Sequence, residues 1–272
     1  MQQFSTSPRE LVSSFWRHRE LTKALIQRDV VGRYRGSSLG MLWSFFHPLF
    51  MLAVYTFVFS IIFQAKWGQG DESRGEFALV LFAGLIVFNF FAECINRSPG
   101  LILVNVNYVK KVVFPLEILP WVAVGSALFH GVISLVVWLI FYMVLFGLPQ
   151  PSALLLPGVV LPLILLTVGL SWFLTSLGVY LRDVSQVTTI LTTVLMFLSP
   201  IFYPPSALPD NLKPMLLLNP LAPALAQVRD VLMWGKVPNF QSWVVYLIAS
   251  GAVAWLGFAW FQKTRKGFAD VL

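Results

Sequence analysis

The sequence predicts an all-α membrane protein with six transmembrane helices. Of its 272 residues, 57% are hydrophobic and only 11% are charged. A water-soluble domain of this size could not hide so much apolar surface, because its exterior must be largely polar. Six apolar stretches are long enough to cross a bilayer, which takes roughly 20 residues at about 1.5 Å per residue. These long continuous runs exclude a bacterial β-barrel, whose strands alternate polar and apolar residues in short segments.

The six predicted spans differ in their internal features. The first is apolar except for His47, and the third is longer than a bilayer requires, so we expect it to tilt or protrude. The fourth contains Pro157 and Pro162, which remove backbone donors and predict a kink. The fifth is short and ends in Ser199 and Pro200, so it is either a full span or part of a re-entrant pair. The predicted bounds are 41–63, 77–95, 119–146, 154–180, 187–203 and 243–261.

The basic residues are concentrated on one side of the predicted membrane. The first forty residues, the 96–118 connection, the connection after the fourth span and the C-terminal tail hold 14 of the 19 Lys and Arg residues. Cytoplasmic loops carry such an excess, so both termini are expected in the cytoplasm. The prediction is a cytoplasmic region at 1–40, a transmembrane domain at 41–263 and a cytoplasmic tail at 264–272. The net charge of +7 follows from this topology and from attraction to membrane lipids, and requires no nucleic-acid partner.

Residues 8–31 are predicted to form an N-terminal amphipathic interface helix. Apolar residues recur there near helical spacing with Arg and Lys between them, and Ser7 and Pro8 supply a cap and a first-turn residue. Such a helix lies in the plane of the lipid headgroups. Because His18 and Arg19 interrupt the apolar face, two shorter helices are an alternative. A simple positively charged flank of the first span is another.

Two connections are too apolar to be free loops. Residues 96–118 mix apolar and basic side chains, which predicts a short amphipathic cytoplasmic helix that ends before Pro115. Its apolar residues would dock on lipid or in a protein groove. On the other side of the membrane, residues 204–242 combine many prolines with apolar runs at 215–218 and 225–234. Short helices that dip into the outer leaflet or cap a pore would account for both features.

Enzyme signatures are absent from the sequence. It has no GxxxxGK[ST] phosphate loop, so this chain is not expected to hydrolyse ATP. The three histidines are scattered and there is one cysteine, so no catalytic residue, metal site or bound cofactor is predicted. His130 lies in mid-span, where an ionisable group can mark a pathway, but a neutral histidine bonded across helices is favoured. Glu93 lies near a span end, where we expect its side chain either to face a cavity or to reach the cytoplasmic membrane interface.

Short segments along nearly the whole chain carry a family resemblance. They are 28–30 (RDV), 33–40 (RYRGSSLG) with Trp43, 109–112 (VKKV), 114–120 (FPLEILP), 180–183 (YLRD), 199–204 (SPIFYP) and 219–220 (NP). Together they resemble the type-2 ABC exporter permeases of bacterial polysaccharides. The similarity is greatest to the permeases of O-antigen exporters, with capsule and teichoic-acid exporters as near relatives.

The resemblance implies a homodimer in the bacterial inner membrane that works with two copies of a separate ABC ATPase subunit, which binds ATP and Mg²⁺. It implies that residues 96–118 hold the coupling helix that docks on this ATPase. Contact candidates are Tyr108, Lys110 and Lys111. The segment after Tyr203 would form outer-leaflet re-entrant gate helices. The implied cargo is a polysaccharide on a polyprenyl pyrophosphate lipid, moved from cytoplasm to periplasm through a dimeric channel.

The implied cargo assigns roles to two further groups of residues. Guanidinium groups bind phosphate through paired hydrogen bonds, so Arg33 and Arg35 are predicted to contact the pyrophosphate. Arg28 and Lys23 are weaker candidates for the same role. The alternative is that these arginines only anchor the helix and fix its topology. Aromatic rings stack on the C–H faces of sugars. By analogy with the family, the channel-lining aromatic candidates are Tyr55, Phe59, Phe197 and Tyr203.

The sequence is also compatible with other functions. Within the same class, the chain could be a capsule or teichoic-acid exporter permease. From other classes, it could be a passive channel, a membrane scaffold or an enzyme acting on lipid-linked sugars. The predicted docking helix argues against a passive pore, which needs none. The proline-rich apolar outer segment argues against a scaffold, which has no use for it. An enzyme of that kind is disfavoured, because the sequence lacks acidic residues that could hold a metal at the membrane surface.

Overall fold

The structure, a computed structural model, describes residues 5–62, 67, 74–109 and 114–272. Within these residues the chain contains helices and turns but no strand, which confirms the predicted all-α class. The helices are α1 (Pro8–Arg17), α2 (Arg19–Tyr34), α3 (Trp43–Tyr55), α4 (Arg74–Arg97), α5 (Leu101–Val104), α6 (Val106–Val109), α7 (Leu119–Phe146), α8 (Leu156–Tyr180), α9 (Val184–Leu198), α10 (Lys213–Leu218), α11 (Ala222–Leu232), α12 (Phe240–Thr264) and α13 (Phe268–Val271). A π-helical segment, Thr56–Ile62, continues α3.

Five helical segments are long and apolar enough to cross a membrane, and each coincides with a predicted span. They are Gly40–Phe59, Gly75–Val104, Leu116–Phe146, Pro151–Tyr180 and Phe240–Val271. The predicted fifth span, 187–203, differs. There α9 has 15 residues and gives way to extended backbone at Ser199, because a residue before proline avoids the helical region. At about 1.5 Å per residue, α9 is shorter than the roughly 30 Å hydrocarbon core.

The N-terminal region forms two helices, as the second interpretation of its sequence allowed. The Ser7 side chain accepts a hydrogen bond from the Glu10 backbone N–H at 3.2 Å, and Pro8 occupies the first turn of α1. These are the cap and first-turn roles predicted for them. The helix is interrupted at His18, which lies between α1 and α2 and has backbone dihedral angles outside the helical region.

In the described residues, prolines lie in the first turn of an α-helix more often than in its interior. Pro157 lies in the first turn of α8, where the backbone N–H would have no partner within the helix. Pro157 therefore marks the point in this span where the 3₁₀ segment Pro151–Leu155 gives way to α-helix. Pro162 does lie inside α8. The same rule places Pro120 in the first turn of α7, and Gly147, with φ of 84°, ends that helix.

Helix α4 forms the centre of the bundle. Most of its side chains between Phe77 and Ile95 are buried, and α7, α8, α9 and α11 pack around it. A helix that is apolar on all sides gains most from this central position. The bundle has two distinct ends. We call the end with α1, α2, α5, α6 and the last turn of α12 the basic end; α10 and α11 lie at the opposite end.

Helices α8 and α12 make the closest helix–helix contact through glycine. A Cβ atom on Gly169 would lie 2.6 Å from the Ala254 Cα atom, and one on Gly257 would collide with the Gly169 carbonyl. Small residues allow backbones to approach this closely, which is how helices gain packing contacts inside a bilayer.

We expect Gly169→Ala to lower the thermal stability of the detergent-solubilised protein. The added methyl group meets the backbone of α12, so the helices must separate, at a cost of about 1–3 kcal/mol. Tryptophan fluorescence during heating measures the effect. Gly251→Ala is the matched control, because beyond the local backbone of its own helix no atom lies within 4 Å of the added Cβ. Equal melting temperatures for the two variants would contradict the prediction.

Candidate functional site

A cavity of about 970 Å³ opens at the basic end between α2, α4, α5 and α7. Its walls carry five charged residues, three of them arginines, together with asparagine and serine side chains. The charged lining residues are Arg28, Asp29, Arg33, Glu93 and Arg97. Such a mixture of fixed guanidinium and carboxylate groups can bind an anion and orient it, because each arginine presents a fork of donors.

One side of the cavity holds a cluster of Arg33, Glu93 and His130. Arg33 Nη2 donates to Glu93 Oε1 at 2.7 Å, which joins α2 to α4. His130 Nδ1 on α7 lies 3.1 Å from Glu93 Oε2 and 3.3 Å from Arg33 Nη1. The predicted bonding of His130 across helices is therefore confirmed, and Glu93 faces the cavity. One carboxylate thus holds three helices together and partly neutralises Arg33.

A second cluster joins the same helices through Asp29. Arg97 Nη2 donates to both carboxylate oxygens of Asp29, at 2.8 and 2.9 Å, and Ser126 Oγ donates to Oδ2 at 2.6 Å. Burial raises the pKa of the Asp29 carboxyl, but the Ser126 hydrogen bond and the Arg97 charge lower it more, so its pKa lies below the usual range. Asp29 therefore remains ionised and anchors α2 on the bundle.

The structure brings together two of the four predicted pyrophosphate contacts; Lys23 is exposed and does not line the cavity. Arg28 and Arg33 both line the cavity, and the Arg28 guanidinium carbon lies 5.9 Å from the centre of the Tyr108 ring. Arg35 is exposed in the turn after α2 and does not line the cavity. Arg97 and Asp29 were not recognised as site residues from the sequence, although charged residues so close to predicted spans are costly and often functional.

Of the predicted ATPase contacts, Tyr108 is described and half-buried. Its ring stacks on Phe114 with the centroids 4.1 Å apart and an interplanar angle of 12°. Lys110 and Lys111 lie outside the described residues. Where the sequence predicted one short amphipathic helix before Pro115, the described part contains the four-residue helices α5 and α6.

Three of the four channel-lining candidates form one aromatic cluster. Tyr55 and Phe59 lie 6.4 Å apart on the first span, and Phe59 stacks on Phe202 at 5.2 Å. Phe197 joins from α9, with its ring 6.0 Å from Phe202. Tyr203 points elsewhere: its hydroxyl donates to a carbonyl at the end of α9, and the residue lines a separate cavity beside α10. Phe202 is the link that was not singled out from the sequence.

Arg229, at the opposite end of the bundle, was also missed. It is only 2% exposed and projects from α11. Its guanidinium donates to the carbonyls of Val80 at 3.1 Å, Ile201 at 3.0 Å and Pro200, and lies 4.1 Å from the centre of the Trp67 ring. Sequence reasoning had a signal here, because an arginine inside the apolar run 225–234 is costly unless it is bonded.

Comparison with known proteins decides the family. Residues 20–233 match the model of a family described as ABC-2 type transporter. The chain belongs to the ABC-2 type transporter family. Its membership confirms the resemblance read from the sequence, and it makes the bundle of apolar helices the membrane-embedded part of a transporter.

Several curated relatives of this ABC-2 type transporter match it over nearly its whole length. The O-antigen export system permease protein RfbA of Myxococcus xanthus is 28% identical, covering 96% of this chain and 98% of the relative. RfbA of Klebsiella pneumoniae is 25% identical, covering 93% and 95%. The polysialic acid transport protein KpsM of Escherichia coli is 27% identical, covering 93% and 96%.

Proposed function

We propose that this chain is the permease subunit of an ATP-driven exporter that moves a lipid-linked polysaccharide of the O-antigen type from the cytoplasm to the periplasm. The arginine-lined cavity carries the proposal, because it lies at the basic end beside Tyr108. Family membership and the names of the relatives in Myxococcus and Klebsiella support it. The excess of Lys and Arg at this end supports an orientation with the basic end and both termini in the cytoplasm of a bacterial inner membrane.

In this proposal, the cavity receives the pyrophosphate head of the lipid carrier. Arg28 and Arg33 provide donors on its wall, and exposed Arg35 stands at the turn after α2. A phosphate group entering the cavity competes with Glu93 for Arg33, since both accept from the same guanidinium. Binding of the head would therefore loosen α2 from α4.

The polysaccharide itself needs a different path. A volume of about 970 Å³ suits a small ligand and cannot enclose a long polymer. A continuous channel between two copies of the chain solves this problem, with the aromatic cluster of Tyr55, Phe59, Phe197 and Phe202 stacking on sugar rings. Short helices α10 and α11, following Tyr203, are suited to gate it in the outer leaflet. If α9 with the residues after it completes a sixth span, the channel wall includes it.

In this proposal, the energy for transport comes from ATP that a separate subunit hydrolyses. Two copies of a separate ABC ATPase bind ATP and Mg²⁺ and dock on the coupling segment, which we define as residues 96–118. A capsule exporter permease is the second candidate, favoured by the 27% identity to KpsM. A passive channel or a membrane scaffold is a more distant alternative, and each would lack an ATPase partner.

The deciding experiment reconstitutes the chain in lipid nanodiscs with the ABC ATPase encoded beside its gene. We expect the two to co-purify and to turn over ATP, and we expect Lys110→Glu/Lys111→Glu to weaken the complex at least about tenfold through charge repulsion. Lys213→Glu/Lys236→Glu, two reversals near the opposite end, is the matched control.

Each outcome of this experiment bears on the proposal. If no ATPase associates with the wild-type chain, the proposal of an exporter is wrong, and a passive channel or a scaffold becomes the favoured function. If both double variants bind equally well, the coupling role of the two lysines is wrong. Sugar analysis of the surface polysaccharide lost on deletion of the gene separates O-antigen from capsule export.

A further inference from the structure

The carboxylate of Glu117 lies where distant segments meet at the basic end. Ser14 Oγ of α1 donates to Oε1 at 3.1 Å, and Arg265 Nη1, just after α12, donates to Oε2 at 2.6 Å. The Glu117 backbone carbonyl accepts from Trp172 Nε1 of α8 at 2.9 Å. We call Ser14, Glu117, Trp172 and Arg265 the Glu117 node.

The ion pair of the Glu117 node is almost fully removed from water. The side chains of Glu117 and Arg265 are 11% and 10% exposed. Arg265 Nη1 also donates to Gln262 Oε1 at 3.2 Å, which fixes the direction of the guanidinium. Removing two charges from water offsets much of their attraction, so a buried pair adds little net stability compared with apolar residues. What it does provide is a short, directional link between two segments.

Aromatic rings from four helices pack in a row beside the node. An aromatic row runs from Phe15 on α1 to Trp121 on α7 at 4.8 Å, to Trp172 on α8 at 5.6 Å and to Phe258 on α12 at 5.1 Å. Closely packed interiors transmit a displacement because they have no space to absorb it. The node therefore lies on a continuous path between α1, α7, α8 and α12.

Glu117 also has a distinctive place in the chain. It lies in the 3₁₀ turn Leu116–Ile118, between the Phe114 ring that stacks on Tyr108 and the start of α7. A displacement of residues 114–118, the described end of the coupling segment, reaches the start of α7 directly through this turn. Along the backbone alone, this displacement would reach only α7. The side-chain bonds of the Glu117 node also pass it to α12 and α1.

We propose that Glu117 is a positioning residue for export, which links the coupling segment to α12 through Arg265 and to α1 through Ser14. The inference rests on the proposed docking of an ATPase on the coupling segment. When ATP binding moves that segment, the Glu117 carboxylate draws the end of α12 with it. Helix α8 follows, because its backbone is in contact with α12 at Gly169 and Gly257.

The test compares two measurements on the same variants. One is the ATP turnover of the complex of the full chain with its ATPase in nanodiscs; the other is the surface polysaccharide of cells in which the variant is the sole copy. We expect Glu117→Gln to assemble and turn over ATP within about twofold of wild type, while surface polysaccharide falls about tenfold, a usual size for lost coupling.

Further variants separate coupling from folding. Ser14→Ala keeps the ion pair and removes only the hydrogen bond from α1 to Glu117, so we expect a smaller loss of export with full assembly. Ser13→Ala is its matched control, because the Ser13 hydroxyl bonds only within α1, to Glu10. The exchange Glu117→Arg/Arg265→Glu restores opposite charges, and we expect about threefold more export than from either single change.

The possible results are distinct. If wild type does not bind the ATPase, the proposed function itself is wrong. If wild type assembles and exports, but Ser14→Ala and assembled Glu117→Gln export as wild type does, the positioning role is wrong. If Glu117→Gln does not accumulate in the membrane, Ser14→Ala against Ser13→Ala decides. If export falls only in proportion to the amount of folded protein, with no recovery in the charge exchange, the node is merely structural and the proposal is overturned.

Discussion

Replacing Arg229 with methionine is expected to destabilise the protein by at least about 3 kcal/mol, because hydrogen bonds to a charged donor contribute about 1.5–3 kcal/mol each. The guanidinium holds the carbonyls of Pro200 and Ile201, just beyond the end of α9, and that of Val80 in α4. Methionine fills a similar volume without a donor. The carbonyls beyond α9 would then be left without this partner in an apolar setting.

Arg229→Lys should recover only part of the lost stability. Lysine keeps the charge, but its ammonium group is a point donor that cannot match three carbonyls arranged around a planar fork. Gly84 explains why the fit is tight, since a Cβ atom there would collide with the Arg229 guanidinium. Melting followed by tryptophan fluorescence in detergent ranks the two variants.

Lys213→Met serves as the control for Arg229→Met. Lys213 lies near the same end of the bundle, and its ion pair with Asp210 is exposed to solvent. Such pairs contribute no more than about 1 kcal/mol, so this variant should melt close to wild type. A similar loss in both variants would show that the three carbonyl bonds do not determine stability at this end.

Asp29→Asn is expected to cost about 1.5–3 kcal/mol at neutral pH, because charge-assisted bonds from Arg97 and Ser126 are weakened together. The pKa of Asp29 is lower in the folded protein than in the unfolded chain. Its contribution to stability is therefore fully present above the unfolded pKa of about 3.9 and is lost as the pH falls through the folded value. Wild type should lose its advantage over Asp29→Asn in that acidic range.

Melting temperatures measured at neutral pH and at about pH 3 test this, since an unshifted aspartate is mostly protonated there. Asp210→Asn is the control, because the Asp210 side chain is 94% exposed. A gap between wild type and Asp29→Asn that is as wide in acid as at neutral pH would contradict the assignment of this stability to the ionised carboxylate.

Features that depend on local spacing were predictable. The continuous apolar run 119–146 has the same bounds as α7, Leu119–Phe146, because Pro120 can begin a helix and Gly147 can end one. The cap at Ser7 was equally predictable from sequence, because a serine just before the first turn of a helix accepts a hydrogen bond from a backbone N–H of that turn. These signals lie within a few residues of the structure that they determine.

Features that depend on distant partners were not predictable. Arg229 and the Val80 carbonyl are 149 residues apart, and no periodicity connects them. The same holds for Asp29 and Ser126, which are 97 residues apart. The sequence could show that a charge was present in an apolar setting, but not which groups would satisfy it. Phe202 was not chosen as a channel-lining candidate for a related reason, since a ring among many aromatic residues gives no sign of which neighbour it will stack on.

The Glu117 node also constrains the order in which the molecule can be completed. Glu117 and Arg265 are 148 residues apart, and Ser14 precedes Glu117 by 103. Synthesis proceeds from the N-terminus, and domains begin to fold while the chain emerges. The Glu117 carboxylate must therefore wait for its arginine until α12 has been made and inserted. Until then Ser14 is the only one of the two side-chain partners in the node that the Glu117 carboxylate can bond, so the link between the start of α7 and α12 forms after the earlier helices have been made.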